Sequence, residues 1–131
     1  MSLETLYQKA NDEYASPSWI KDGLFAGWFD PCPMTKGLVN FDGLTSAWKD
    51  KTFVNPPYSK PLPWVQKAIA ENKKGKTIVL LIKHDSSTEW FRLLHEAGAE
   101  FLMVNGRLHF NSGDAAPFPS VLVMLYYSEK K

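Results

Sequence analysis

Cysteine is almost missing from this chain of 131 residues: Cys32 stands alone, so no internal disulfide can staple the fold. An excess of either charge is missing as well. Fifteen Lys and Arg stand against fourteen Asp and Glu, for a formal net charge of +1 and a pI near 7.8. No strong overall field draws a polyanion, so any affinity for nucleic acid has to come from a local basic surface and should be weak and salt-sensitive. No apolar run reaches the length of about 18 residues that a membrane span needs, and no signal-peptide pattern is visible. The expectation is a protein of a soluble, reducing cytoplasm. His84, His95 and His109 show no metal-ligand spacing with Cys32, so no metal site is expected. Internal repeats, low-complexity tracts and linkers are absent apart from a polar tail at Ser128 to Lys131.

With 44% hydrophobic residues, the chain can bury one real core but hardly two. A single domain over 1–131 is expected, with 1–15 and 128–131 poorly ordered. Ser18 to Phe25 reads as a helix, with Ser16 as cap and Pro17 at its first position, ahead of a strand at Gly27 to Phe29 ended by Asp30. Lys51 to Val54 is strand-like. Leu62, Trp64, Val65, Ala68 and Ile69 lie at helical spacing, opened by Ser59 and Pro61 and closed by Gly75. The continuous run Thr77 to Ile82 suits a strand covered on both faces. Ser86 and Glu89 have capping-box spacing before a second helix that Gly98 ends. Glu100 to Val104, Arg107 to Phe110 and Ser120 to Tyr127 read as strands, with a turn at Asn105-Gly106. Alternating β and α signals imply a layered α/β domain. The stretch from Asp30 to Asn55 is too short for full crossovers, so helices must be lost or reduced there.

The most informative residues are Asn55-Pro56-Pro57-Tyr58, which follow a strand and precede a helix. Chance places this tetrapeptide in roughly one chain of this length in a few thousand. Its geometry suits methylation of an amino group conjugated to a ring or carbonyl. The lone pair of such a nitrogen is delocalised, and two acceptors facing its protons localise it by drawing the nitrogen towards tetrahedral geometry. Asn55 Oδ1 offers one acceptor. The Pro56 carbonyl offers the other, stiffened by Pro57, and dipoles fixed in advance need little reorganisation. Tyr58 presents a face on which a planar base stacks; the alternative is a buried core tyrosine.

These residues, with Ser16-Pro17, Phe29-Asp30-Pro31-Cys32-Pro33, Asp42-Gly43-Leu44, Trp48, Trp64-Val65, Ser87 to Phe91 and Asn105 to Phe110, resemble in their order the phage-type DNA N6-adenine methyltransferases, relatives of the Dam enzymes. The resemblance runs from about Ser16 to Tyr127. It implies a compact Rossmann-like methyltransferase fold, with a mostly parallel sheet, an antiparallel C-terminal edge and helices on both faces. It also implies S-adenosylmethionine as methyl donor, the N6 amine of adenine in DNA as acceptor, and a phage, prophage or prokaryotic origin. Asn55, Pro56, Pro57 and Tyr58 become the catalytic set. Asp30 is assigned to the donor's amino group, within a loop containing Pro31 and Cys32, or else simply starts a turn before Pro31, and Asn55 also borders the donor. Asp42 either binds a ribose hydroxyl or the adenine amine of the donor or simply starts an Asp-Gly turn. Ser16 and Pro17 either flank the donor or cap a helix. No Gly-x-Gly loop follows the first strand, a departure from many methyltransferases.

For the acceptor side, the candidates are Tyr58, Ser59, Lys83, His84 and Arg107. Lys83 and His84 follow a strand on the rim where open α/β sheets bind ligands, but they also fit a solvated loop. Arg107 offers either a phosphate or base-edge contact or a structural salt bridge. Lys67, Lys73, Lys74 and Lys76 read as a solvated helix edge first and a DNA-facing patch second. No separate target-recognition segment is visible, so a homodimer or partner subunit is expected to help hold DNA. Competing readings are methylation of cytosine N4, methylation of a protein glutamine amide, and a nucleic-acid-binding module that has lost catalysis.

Overall fold

The computed structural model describes residues 17–33, 42–104, 106, 108 and 118–126. Four strands form one mixed sheet: β1 (Lys51–Val54), β2 (Thr77–Lys83), β3 (Glu100–Met103) and β4 (Ser120–Leu125), in the order β1-β2-β4-β3. β1 and β2 run parallel, while β4 runs antiparallel to both β2 and β3. β1, β2 and β3 therefore point the same way, with β4 inserted against them. The expected antiparallel edge is thus corrected: the C-terminal strand lies inside the sheet, and among the described strands only one of three pairings is parallel. Its composition explains the position, since Ser120 to Val123 and Leu125 are all buried, as a strand paired on both sides and covered on both faces requires.

The sequence Leu62–Lys73 forms helix α1 and Glu89–Glu96 forms α2. Pro61 stands at the N-cap of α1, and the chain leaves it through Gly75 at φ 107°, a left-handed conformation that glycine adopts without strain. Ser86 and Glu89 do not form the expected capping box. Thr88 is the N-cap of α2, and Asp85 organises the approach by accepting Ser87 N and Ser87 Oγ at 3.1 and 2.6 Å. These bonds hold the exposed Asp85 carboxyl below its ordinary range.

Strand alternation divides the core. Val54, Ile78, Leu80, Ile82, Val121, Val123 and Leu125 face α1 and α2, where Val65, Ala68, Phe91 and Leu94 meet them. Phe53, Val79, Leu81 and Leu122 face the other way, towards Ile20, Leu108 and Phe118. Ile20 belongs to Trp19–Leu24, inside the helix expected over Ser18 to Phe25, which winds as a π-helix closed by Phe25 N donating to Ile20 O at 2.9 Å. Helical segments thus cover both faces. The strand expected at Gly27 to Phe29 is reduced to a single parallel bridge, Phe29 with Thr52. The expected strand Arg107 to Phe110 falls outside the described residues except for Leu108, and Tyr127 falls outside them. The described helices include none long and apolar enough to cross a membrane.

Candidate active site

Parallel pairing brings the first two candidate loops to one rim. Phe29 N donates to Lys51 O, and Phe53 N donates to Phe29 O. Asp30 and Asn55 therefore both leave the sheet at the carboxyl ends of neighbouring extended segments, where open α/β sheets gather ligands. Asp30 Oδ1 accepts Cys32 N at 2.9 Å, shaping the Asp30-Pro31-Cys32 turn, and Asp30 Oδ2 pairs with Lys21 Nζ at 2.7 Å. Pro31 is buried.

The Asp42 loop closes against the Asp30 loop. A Cβ on Gly43 would overlap the Pro31 carbonyl and approach Trp64 Cη2 at 2.8 Å, so only glycine lets the two loops meet. Asp42 Oδ1 accepts Leu44 N, while Asp42 O accepts Thr45 N and Ser46 N. Asp42 thus starts a turn, one of its two readings, and its carboxylate remains exposed. Trp48 ends the loop, with Nε1 donating to Gly43 O at 2.7 Å and its ring stacked on Trp64 of α1.

Glu71, on α1, anchors this assembly from beneath. Its carboxylate has no exposure to solvent and accepts Trp48 N at 3.1 Å, Lys67 Nζ at 3.0 Å and Lys76 Nζ at 2.6 Å. Burial alone would raise its pKa, but the hydrogen bonds from Lys76, Lys67 and Trp48 prevail and lower it to about 2. Lys67 and Lys76 therefore belong to a buried ionic node and not to a free basic edge; Lys74 reaches the same carboxylate at 4.0 Å from an exposed position, and Lys73 is exposed.

Pro56 is buried, fixing the backbone between Asn55 and Pro57, and the side-chain oxygens of Asn55 and Tyr58 are enclosed. Tyr58 packs edge-on against Phe118 with ring centroids 4.4 Å apart. Lys83 Nζ lies 6.0 Å from the centre of the same Phe118 ring, so Tyr58, Phe118 and Lys83 share one face of the sheet. His84 turns to the opposite face: its imidazole stacks on Phe91 of α2, and its backbone N donates to Pro119 O. Ser59 is exposed in the turn before α1. Pro17 is buried, and its carbonyl accepts Ile20 N and Lys21 N, which makes it a helix opener. Ser16 and Arg107 lie outside the described residues. No group of three or more His, Cys, Asp or Glu among the described residues is placed to hold a metal.

Lys21, Phe118 and Glu71 carry this geometry and were not singled out from the sequence. Phe118 is brought in by β4, whose insertion between β2 and β3 no local pattern announces. Lys21 belongs to a short polar and apolar mixture with no distinctive spacing. Glu71 sits among lysines on a helix, a pattern that ordinarily marks a solvated face.

Comparison with known proteins identifies relatives of the chain. A DNA N-6-adenine-methyltransferase from Haemophilus phage HP1 is 39% identical over 125 residues, covering 84% of this chain and 72% of its own length. A DNA N-6-adenine-methyltransferase from Escherichia phage T1 is 32% identical over 77 residues, covering 47% of this chain and 32% of its own length. No solved structure matches the chain significantly. The family model for DNA N-6-adenine-methyltransferase (Dam) matches residues 37–120, a span that begins before Asp42, includes Asn55 to Tyr58 and ends at the start of β4, so the chain belongs to the Dam family of DNA N-6-adenine-methyltransferases.

Proposed function

We propose that this protein transfers a methyl group from S-adenosylmethionine to the N6 amine of adenine in DNA. The observation that carries the proposal is Asn55-Pro56-Pro57-Tyr58 at the carboxyl end of β1, with Pro56 buried and Tyr58 braced by Phe118. Three strands running one way with β4 against them support a Rossmann-like methyltransferase sheet. The rim also suits the donor: Asp30 already holds one ammonium, that of Lys21, and the Asp30 and Asp42 loops meet where Gly43 approaches Pro31.

S-Adenosylmethionine, when bound, supplies a methyl group on a good leaving group. The chain's own residues orient and polarise the acceptor. Asn55 Oδ1 and the Pro56 carbonyl accept the two N6 protons, concentrating the nitrogen lone pair towards the methyl group. Tyr58 stacks on the adenine, a contact worth about 1–3 kcal/mol in nucleic-acid complexes. A strong general base is unnecessary, because the nitrogen's proton becomes acidic once methylated and leaves to water. The amine of a paired adenine is out of reach inside the duplex, so the base is flipped out at a cost of a few kcal/mol. Lys83, on the Tyr58 face, and Arg107 contact the DNA backbone, and a second copy or a partner subunit completes the grip that a net charge of +1 does not provide.

Incubation with methyl-labelled S-adenosylmethionine and adenine-containing DNA, followed by digestion to nucleosides, tests the proposal. Label in N6-methyladenine nucleoside is expected. Label in N4-methylcytosine nucleoside, or in a glutamine peptide offered alongside, would transfer the same chemistry to another substrate. Absence of transfer despite donor and DNA binding would favour the non-catalytic module.

A further inference from the structure

The ion pair between Lys21 and Asp30 lies at the carboxyl end of the Phe29 bridge, on the rim that also holds Asn55. Its two acceptor oxygens are differently engaged. Oδ1 is committed to the turn through Cys32 N, whereas Oδ2 meets Lys21 Nζ at 2.7 Å. The Lys21 side chain is 40% exposed and the Asp30 side chain 18%, so the cation is accessible and the carboxylate is held in place. A pair this open contributes little to stability by itself. An α-amino acid presents the same two charges in the same close association, with the signs exchanged between partners.

We propose that Lys21 and Asp30 together form a receptor for the α-amino acid end of the methyl donor, with Asp30 taking its ammonium and Lys21 its carboxylate. The proposal rests on the donor reading above and adds Lys21 to it. The flexible four-carbon stem of lysine lets the ammonium swing from Asp30 to an incoming carboxylate while staying near both. The single ion pair of the free protein thereby becomes a ring of alternating charges. Discrimination follows from this: the site selects a zwitterionic tail over a purely cationic one, because a ligand without the carboxylate has to displace Lys21 from Asp30 without offering it a replacement.

The test is calorimetric titration of the full chain with S-adenosylmethionine, with its decarboxylated analogue, which keeps the ammonium, and with 5′-methylthioadenosine, which keeps only the nucleoside end. Wild-type protein should prefer S-adenosylmethionine to the decarboxylated analogue by about tenfold, as one charge-assisted contact provides. Lys21→Met should abolish that preference, and Asp30, relieved of its partner, should bind the decarboxylated analogue at least as tightly as before. Lys21→Arg should retain the preference. Unchanged affinity for 5′-methylthioadenosine in Lys21→Met would show that the nucleoside site is still folded. Retention of the tenfold preference in Lys21→Met would overturn the receptor while leaving the donor site standing. Failure of wild-type protein to bind any of the three would overturn the donor site itself, and the receptor with it.

Discussion

Replacing Glu71 by Gln removes one negative charge from a node that holds the Asp42 to Trp48 loop to α1, and the size of the loss follows from the ionisation of the carboxyl. Lowering its pKa from 4.5 to about 2 means that folding stabilises the charged form over the neutral one by about 3 kcal/mol more than the unfolded chain does, at about 1.4 kcal/mol per unit. Gln resembles the neutral form in shape and still accepts Trp48 N, so Glu71→Gln should cost about 3 kcal/mol at pH 7. For a domain of this size that is a fall of about 10 °C in Tm. The pH dependence separates this from ordinary packing damage. Because the folded pKa is depressed, the stabilisation is complete above the unfolded value near 4.5 and is lost as pH falls towards about 2. Thermal or urea unfolding of wild type and Glu71→Gln should therefore differ most at neutral pH and converge as the acid limit is approached. Equal stability at pH 7, or a gap that persists undiminished at pH 2, would refute the ionic account of this node.

Asn55→Ala should lower kcat by about 10²–10³, the usual effect of deleting one fixed polar group aimed at the reacting centre, while calorimetry shows S-adenosylmethionine affinity little changed. Asp30→Ala should do the reverse, weakening donor binding more than turnover at saturation; exchange of these two patterns would overturn the assignment of roles. Gly43→Ala should force the Asp42 and Asp30 loops apart, because the new methyl overlaps the Pro31 carbonyl. A loss of about 1–3 kcal/mol is expected in urea unfolding, together with weaker donor binding. Phe118→Ala should unbrace Tyr58 and raise KM for DNA, measured by initial rates at saturating donor, whereas Phe118→Leu should retain more of the affinity; no effect on KM from either would remove Phe118 from the base platform.

Much of the framework was legible because it is locally encoded. The continuous run of β-branched and leucine residues at Thr77 to Ile82 leaves a strand little choice but burial, and Pro61 and Gly75 mark the ends of α1 by backbone geometry alone. The rim was legible for the same reason: Asp30, Asp42 and Asn55 each follow an extended stretch or open a turn. What escaped was set by partners distant in sequence. Ser120 to Leu125 reads as a strand wherever it goes, and only its pairing with β2 and β3 together decides that it fills the middle of the sheet. The Ser86 and Glu89 spacing matched a capping box, but Asp85 supplied a stronger acceptor one residue earlier and moved the start of α2 to Thr88. Lys67 and Lys76 looked like solvent-facing charges until Glu71 was found buried between them.

The site is thus assembled from two kinds of support, and they predict different sensitivities. Asn55 and Pro56 are fixed by covalent stiffness and strand pairing, so their positions should survive damage elsewhere in the protein. The Asp42 loop has no such local guarantee. It is held by Trp48, whose indole bonds Gly43 and whose backbone bonds Glu71, and by the contact of Gly43 with Pro31. Disturbing Glu71 or Gly43 should therefore affect the loops assigned to the donor before it affects the acceptors aimed at the amine. This ordering gives a physical reason to bury an ion-paired glutamate: among the described residues between Asp30 and Lys51 there is no helix, and a buried carboxylate joining a loop N–H to neighbouring lysines ties that loop to α1 beneath it.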